Sequence, residues 1–304
     1  MLRSGCATAL HIGTESTLEA APDHNENAPN IVQFAEITGV LSGAEPRALV
    51  NGAVDRILNS SNNRPIIGIA PHAPYSTQRA TLLELARRTR NTPITIHLAE
   101  SEDEFDLFRA SRGPLWDWLN TKLKHRPARG ETPVEYVDRT GLLRPDCLIA
   151  HANYLTMSDF QRIQKARSMI VHCPRSHAYF GHKPFPLERA REYRLPVCLG
   201  TDSLASTGAD EASINTLSML EEGREFLRRF PEETPETTLS MMTEIPGAYA
   251  GFFNQIGAIR PGYDADFAVF EYAGRVENAI ASLIFESTHA QEMWIKGNRR
   301  FLSN

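Results

Sequence analysis

A histidine sits three residues before a glutamate at the end of one apolar run of this 304-residue chain, in Thr95-Ile96-His97-Leu98-Ala99-Glu100. A second histidine closes Leu148-Ile149-Ala150-His151, and an aspartate closes Val197-Cys198-Leu199-Gly200-Thr201-Asp202. Together these residue types suit metal-assisted hydrolysis. His97 and Asp202 can ligate a divalent ion, and such an ion brings the pKa of its bound water down to about 7. Glu100 can take that water's proton and pass it to a leaving nitrogen. His151 can polarise the group under attack. Taken singly, each has a plainer reading. A strand-end histidine is commonly a hydrogen-bonded core residue, and an aspartate after Gly-Thr commonly marks a turn. The chemical reading rests on their order and on their shared placement at strand ends.

The elements that must position them are short apolar runs alternating with amphipathic stretches. Strands are predicted at Cys6–Ile12, Ile31–Ile37, Ile66–Ala70, Pro93–Leu98, Cys147–Ala150, Met169–Cys173 and Pro196–Gly200. None alternates polar with apolar, which is the pattern of strands buried on both faces. Helices are predicted over Ala44–Leu58 and Arg79–Thr89, and Ser101 followed by Glu104 is a capping-box pattern starting another. The acids Glu102, Asp103 and Glu104 then belong to its first turn, where the helix dipole favours anions. This rhythm predicts a parallel α/β sheet with helical crossovers. The count is seven strands, whereas a closed (β/α)8 barrel needs eight. Met1–Gly5 reads as a helix end with its Gly cap, so the chain is read as starting inside a fold. After residue 255 the pattern becomes turn-rich, with short strands at Phe267–Phe270 and Glu292–Ile295. The predicted division is an incomplete barrel over 1–255 and a small β element over 256–304.

Composition narrows the function. The formal net charge of −5 gives no reason to expect nucleic acid or an anionic membrane as a partner, and no apolar run is long enough to span a bilayer. Cys6, Cys147, Cys173 and Cys198 form no Cys-x-x-Cys pair and read as buried reduced thiols, which fits a cytoplasmic location.

Further motifs extend the pattern. They are Pro71-His72-Ala73-Pro74-Tyr75-Ser76, Ala150-His151-Ala152-Asn153-Tyr154-Leu155-Thr156, His172-Cys173-Pro174-Arg175-Ser176, Leu199-Gly200-Thr201-Asp202-Ser203, and Gly257-Ala258-Ile259-Arg260-Pro261-Gly262 through Asp266. In this order, across nearly the whole chain, they resemble the amidohydrolase superfamily, in its cytosine-deaminase-like and chlorohydrolase-like branch. The resemblance implies a TIM-type barrel with a remnant of a small β-sandwich. It implies one divalent metal, zinc or iron, and a heterocyclic small-molecule substrate. His97 would be a metal ligand, Glu100 the proton shuttle, and His151 the contact to the attacking water or reacting group. Asp202 would bind metal and activate water. His72, Arg175 and Tyr179 would face the substrate. The reaction implied is hydrolytic deamination of an amino-substituted purine, pyrimidine or nucleoside. The alternatives are a chlorohydrolase or cyclic amidase of the same fold, and a truncated protein without activity.

Departures from the family pattern carry their own expectations. The family's His-x-His pair occurs nowhere in the chain. The sequence is therefore read as N-terminally truncated, with weak metal retention, a tendency to self-associate, and His11 as a conceivable substitute ligand. The segment Ser176-His177-Ala178-Tyr179-Phe180-Gly181-His182 would add aromatic and imidazole groups to the pocket wall, Tyr179 as a stacking surface. His172 reads as structural, and His177 and His182 are not taken as ligands. Trp116 and Trp118 lie in a Gly/Pro-flanked insertion that is either a lid or core packing.

Overall fold

The seven predicted strands all form, and all but the first, Thr8–Gly13, bury residues on both of their faces. The computed structural model describes residues 1–14, 29–40, 43–60, 66–122, 130–208, 217–249 and 255–300. The strands are β1 (Thr8–Gly13), β2 (Asn30–Ile37), β3 (Ile66–Pro71), β4 (Ile94–Leu98), β5 (Cys147–His151), β6 (Met169–His172) and β7 (Val197–Leu199). They make one parallel sheet in sequential order from β1 to β7. Every residue of β5 is buried. Ile94, Ile96 and Leu98 of β4 are fully buried, and each such side chain contributes roughly 1.5–3 kcal/mol by leaving water. Packing between β2 and β3 requires Gly68, since a Cβ there would come within 2.2 Å of the Phe34 ring.

Helices cover the outer face and return the chain to the start of the next strand. Pro46–Asn59 follows β2, Arg79–Arg88 follows β3, Glu102–Ala110 follows β4, Met157–Ala166 follows β5, and Met219–Arg229 follows β7. Their apolar faces join the strand side chains in one core that includes Val50, Leu85, Phe108, Ile163 and Phe226. The sheet is the seven-stranded (β/α) arrangement of a barrel of this kind. Among the described residues its outer strands, β1 and β7, pair only inward. Consecutive parallel strands place all their C-terminal ends on one rim. There His97 lies opposite Ala150, and Leu98 opposite His151, in the β4–β5 register.

A second, antiparallel sheet is formed by β8 (Phe267–Val269), β9 (Glu292–Ile295) and β10 (Asn298–Arg300). Its inner face, Met293 and Ile295 with Ala290, buries Leu2. The predicted helix end at Met1–Gly5 is a 3-10 turn over Leu2–Ser4, capped by Gly5 at φ 86°. The Ala290 N–H donates to the Arg3 carbonyl at 2.8 Å.

Local differences from the sequence reading are small. The capping of Glu102–Ala110 is shifted by one residue. Ser101 Oγ accepts from the Glu104 N–H as expected, but Glu104 Oε2 accepts from the N–H of Glu100, one residue ahead of the cap. All four cysteines are unpaired, and Cys6 is only half-buried by exposure. No helix among the described residues is long and apolar enough to cross a membrane.

Candidate metal centre

The rim residues owe their direction to an unusual backbone. Ala99 (φ 53°), His151 (φ 72°), Ala152 (φ 53°) and Asp202 (φ 53°) all adopt left-handed conformations. Such conformations cost non-glycine residues on the order of 1–3 kcal/mol each and persist only where surrounding structure holds them. Here the loop after β5 locks onto the turn after β4. The Ala152 N–H donates to the Leu98 carbonyl at 3.0 Å, and the Asn153 and Tyr154 N–H groups both donate to the Ala99 carbonyl, at 2.9 and 3.0 Å. The chain thus folds over at each strand end and turns His151 and Glu100 toward one point.

At that point His97, His151 and Asp202 offer ligand atoms that all lie within 4.8 Å of one another. His97 Nδ1 is 3.0 Å from the His72 carbonyl oxygen. A carbonyl only accepts, so Nδ1 carries the proton and Nε2 is left as a lone-pair donor. Fixing a ligand's tautomer through its other nitrogen is a recurring feature of metal sites. Asp202 Oδ2 accepts from Ser176 Oγ at 2.6 Å and from Ser206 Oγ at 2.9 Å. Two imidazoles and one carboxylate are a donor set that suits a divalent transition ion, so the residues present fit such a group. His11, on β1, lies outside this cluster.

Glu100 Oε1 stands 3.7 Å from His151 Nε2. Its main chain is held twice. Its N–H donates to Glu104, and its carbonyl accepts from Asn153 Nδ2 at 2.9 Å. With Nδ2 so engaged, Asn153 Oδ1 is the acceptor toward His177 Nδ1 at 3.1 Å. The chain of contacts therefore runs from His177 through Asn153 to Glu100.

The electrostatics separate the two carboxylates. Burial raises the Glu100 carboxyl; His97 lowers it again in part, and Asp202 adds to the rise. Burial also pushes on Asp202, but the Ser176 hydrogen bond, the His151 charge, the Ser206 hydrogen bond and the His97 charge outweigh it and hold this carboxyl below its usual value. Environments that push two carboxylates apart mark a proton carrier and a standing anion. Burial, followed by repulsion from His97, lowers His151 to about 3. Burial, then His97 and His151, lowers His72 to about 4. Both imidazoles are therefore neutral near pH 7.

The remaining predicted site residues are placed as follows. His72 stacks beside His97 with ring centroids 5.1 Å apart, and its Nδ1 lies 2.7 Å from Ser76 Oγ. Arg175 is held at two points: its main-chain N–H donates to Glu222 Oε2 at 3.0 Å and its Nη2 to the Thr207 carbonyl at 3.2 Å. Tyr179 ends the short helix Pro174–Tyr179 and is exposed. His172 is buried and stacks on Phe185 at 4.1 Å. The sequence reading took Asn153 only as part of a polar wall beside His151, and missed Ser176, Ser206 and Glu222 as parts of the site. Of these only Glu222, a carboxylate on the apolar face of the strongly amphipathic Met219–Arg229 helix, left a signal that could have found it.

Comparison with known proteins agrees with this architecture. A 5-methylthioadenosine/S-adenosylhomocysteine deaminase of Pyrococcus abyssi is 31% identical over 231 residues, covering 72% of this chain and 48% of its own. The chain thus spans about half the length of the curated relatives it matches. The structure of Helicobacter pylori aminofutalosine deaminase in complex with methylthio-coformycin superposes with a TM-score of 0.79 at 22% identity, over 98% of this chain and 72% of that one. The zinc complex of atrazine chlorohydrolase from Arthrobacter aurescens does so with a TM-score of 0.76 at 16% identity, over 98% and 69%. The profile of the amidohydrolase family matches residues 1–299, and the chain belongs to that family.

Proposed function

We propose that this chain carries the reacting centre of a metal-dependent hydrolase of C–N bonds, specifically a hydrolytic deaminase of an amino-substituted heterocycle of the adenosine type. The observation that carries the reading is the convergence of His97, His151 and Asp202 within 4.8 Å, with Glu100 3.7 Å from His151. The relatives named as deaminases of 5-methylthioadenosine and S-adenosylhomocysteine support the choice of reaction and substrate class.

His97 and Asp202 would hold the ion, zinc or iron, both of which imidazole and carboxylate donors suit. Bound there, the ion would supply Lewis acidity and make water a usable nucleophile near neutral pH. The chain's own residues do the rest. Asp202 stays anionic and, through its serine partners, keeps one orientation. Glu100, with its raised proton affinity, takes a proton from the attacking water and delivers it to the departing amine. Neutral His151 faces the group under attack and hydrogen-bonds to it. His72 forms the substrate-side wall. Arg175 and Tyr179 are assigned to the outer part of the substrate site, Arg175 acting through the Glu222 and Thr207 contacts that fix its loop.

The experiment is ammonia release from aminopurines, aminopyrimidines and adenosine-type nucleosides by the purified chain reconstituted with zinc or iron. Turnover that depends on metal is expected. Glu100→Gln should lower it by at least about 100-fold while metal content, measured by mass spectrometry, stays unchanged. Undiminished turnover in a metal-loaded Glu100→Gln protein, or no ammonia from any amino-heterocycle with metal bound, would overturn the reading.

A further inference from the structure

The helix Met219–Arg229 buries Leu220, Glu222, Gly223, Phe226 and Leu227. Glu222 is the single acid among these buried residues, and none of its surface is exposed. One of its oxygens is used and the other is not. Oε2 accepts from the main-chain N–H of Arg175 at 3.0 Å. Oε1 has no hydrogen-bond partner and stands 3.9 Å from Arg175 Nη1. A buried oxygen left unpaired is unfavourable. An apolar side chain would suit this face better if packing were its whole task.

The N–H that Glu222 takes belongs to the short helix that carries Ser176. That helix, Pro174–Tyr179, begins without a side-chain cap at Cys173, and Pro174 has no N–H to offer. The Arg175 N–H is thus the first of the helix, and its partner comes from another helix, 47 residues along the chain. The next residue, Ser176, is buried and donates from Oγ to Asp202 Oδ2 at 2.6 Å. A hydroxyl one residue from a pinned N–H has little freedom to leave its carboxylate. Asp202 needs such a guide, because at φ 53° its backbone is in a left-handed conformation that neighbouring contacts must hold. Its other donor, Ser206 Oγ at 2.9 Å, lies four residues along the same loop. Of the two, only Ser176 ties Asp202 to the loop of a different strand, and Glu222 is what anchors that loop from behind.

We infer that Glu222 is a positioning residue of the metal centre: by holding the Arg175 N–H it sets Ser176 against Asp202 and so fixes the direction of that carboxylate. The inference rests on the reading of Asp202 as a metal ligand and on no part of the substrate assignment. Burial pushes the Glu222 carboxyl up to about 8, so near pH 7 it is mostly the neutral acid, and glutamine is a close stand-in. Zinc affinity of the purified chain is measured by competition with a chromophoric chelator. Glu222→Met keeps an unbranched side chain and removes the strong acceptor. Glu222→Leu replaces it if circular dichroism shows that protein to be unfolded. Either should weaken zinc binding about tenfold, the low end of what supporting residues of a metal site are worth. Glu222→Gln should retain most of the affinity. Ser176→Ala should weaken zinc as much as Glu222→Met, and the two together no more than either alone, because they remove one and the same support. Losses that multiply, equal damage from Glu222→Met and Glu222→Gln, or an unchanged affinity in Glu222→Met would overturn the inference and leave the metal centre standing. Failure of both apolar variants to fold would do the same, making Glu222 a residue of the core. An unmodified chain that binds no zinc overturns the metal centre, and the inference with it.

Discussion

Two pairs of histidines stand at almost the same spacing in this protein and have opposite surroundings. His97 and His151 have ring centroids 5.3 Å apart, and His172 and His177 have theirs 5.2 Å apart. The first pair is joined by Asp202 and Glu100. The second is packed among Phe185, Phe226 and Asn153, and His172 Nδ1 has no hydrogen-bond partner at all. Burial lowers the proton affinity of His151 in the first pair and of both His172 and His177 in the second. Clustered, buried imidazoles are therefore not enough to make a metal centre. What distinguishes the first pair is a carboxylate at ligand distance and a nitrogen left free by a tautomer-fixing carbonyl.

The contrast is open to direct attack. The largest effect expected is on metal content. His97→Ala should reduce metal bound per chain by at least about tenfold, the low end of what even a supporting residue of a metal site is worth, whereas His172→Phe should keep it. Metal analysis after dialysis checks both; equal retention by the two variants would erase the distinction drawn here. A smaller effect tests the link that reaches from the second pair to the first. Asn153→Ala removes the donor to the Glu100 carbonyl and the acceptor for His177. It should lower turnover about tenfold, the worth of roughly one hydrogen bond of about 1.4 kcal/mol, with metal content intact. An accompanying loss of metal would show that Asn153 supports the ligands and not Glu100.

The smallest effect concerns Glu104, fully buried and accepting from the Glu100 N–H, with its carboxyl pushed up to about 8, mainly by burial. In the unfolded chain a glutamate titrates near pH 4.3. Between that pH and about 8 the folded protein keeps a proton that the unfolded chain has released, so stability falls as pH rises through this window. The slope is about 1.4 kcal/mol per pH unit at most for one group, and it vanishes above the folded value. Glu104→Gln should flatten the stability profile of urea melts between pH 5 and pH 8. An unchanged slope would mean that the carboxyl is ionised in the native protein.

Much of this was legible in the chain. Both-face burial gives β3 to β7 their unbroken apolar text, and the chemistry-bearing residues announce themselves by ending those runs. The conformations that aim them were not legible. Ala99 and Ala152 carry no signature of a left-handed backbone, because the conformation is held by hydrogen bonds between the turn after β4 and the loop after β5, far apart along the sequence. The same holds for Asn153, which looked like a polar neighbour of His151 and proves to hold Glu100. Arg175 reads in the sequence only as a residue facing the substrate. Its partner, Glu222, is 47 residues away, beyond the reach of any local pattern. Trp118 was balanced between lid and core, since an aromatic on a short amphipathic helix fits both until the neighbouring loop at Thr38–Val40 is in place. With that loop and His72 it lines a cleft of about 590 Å³.

The half-exposed indole of Trp118 also gives the cleft an optical signal of its own. The chain has three tryptophans. Trp294 is stacked on Phe267 in the small sheet, and Trp116 packs against the main core. Trp118 alone among them stands at the mouth of the cavity with 47% of its surface toward solvent. Emission from a water-facing indole lies to the red and moves to the blue when the ring is covered. Occupancy of the cleft can therefore be followed by intrinsic fluorescence, without a label and without turnover. The other two indoles supply a constant background against which the shift is read.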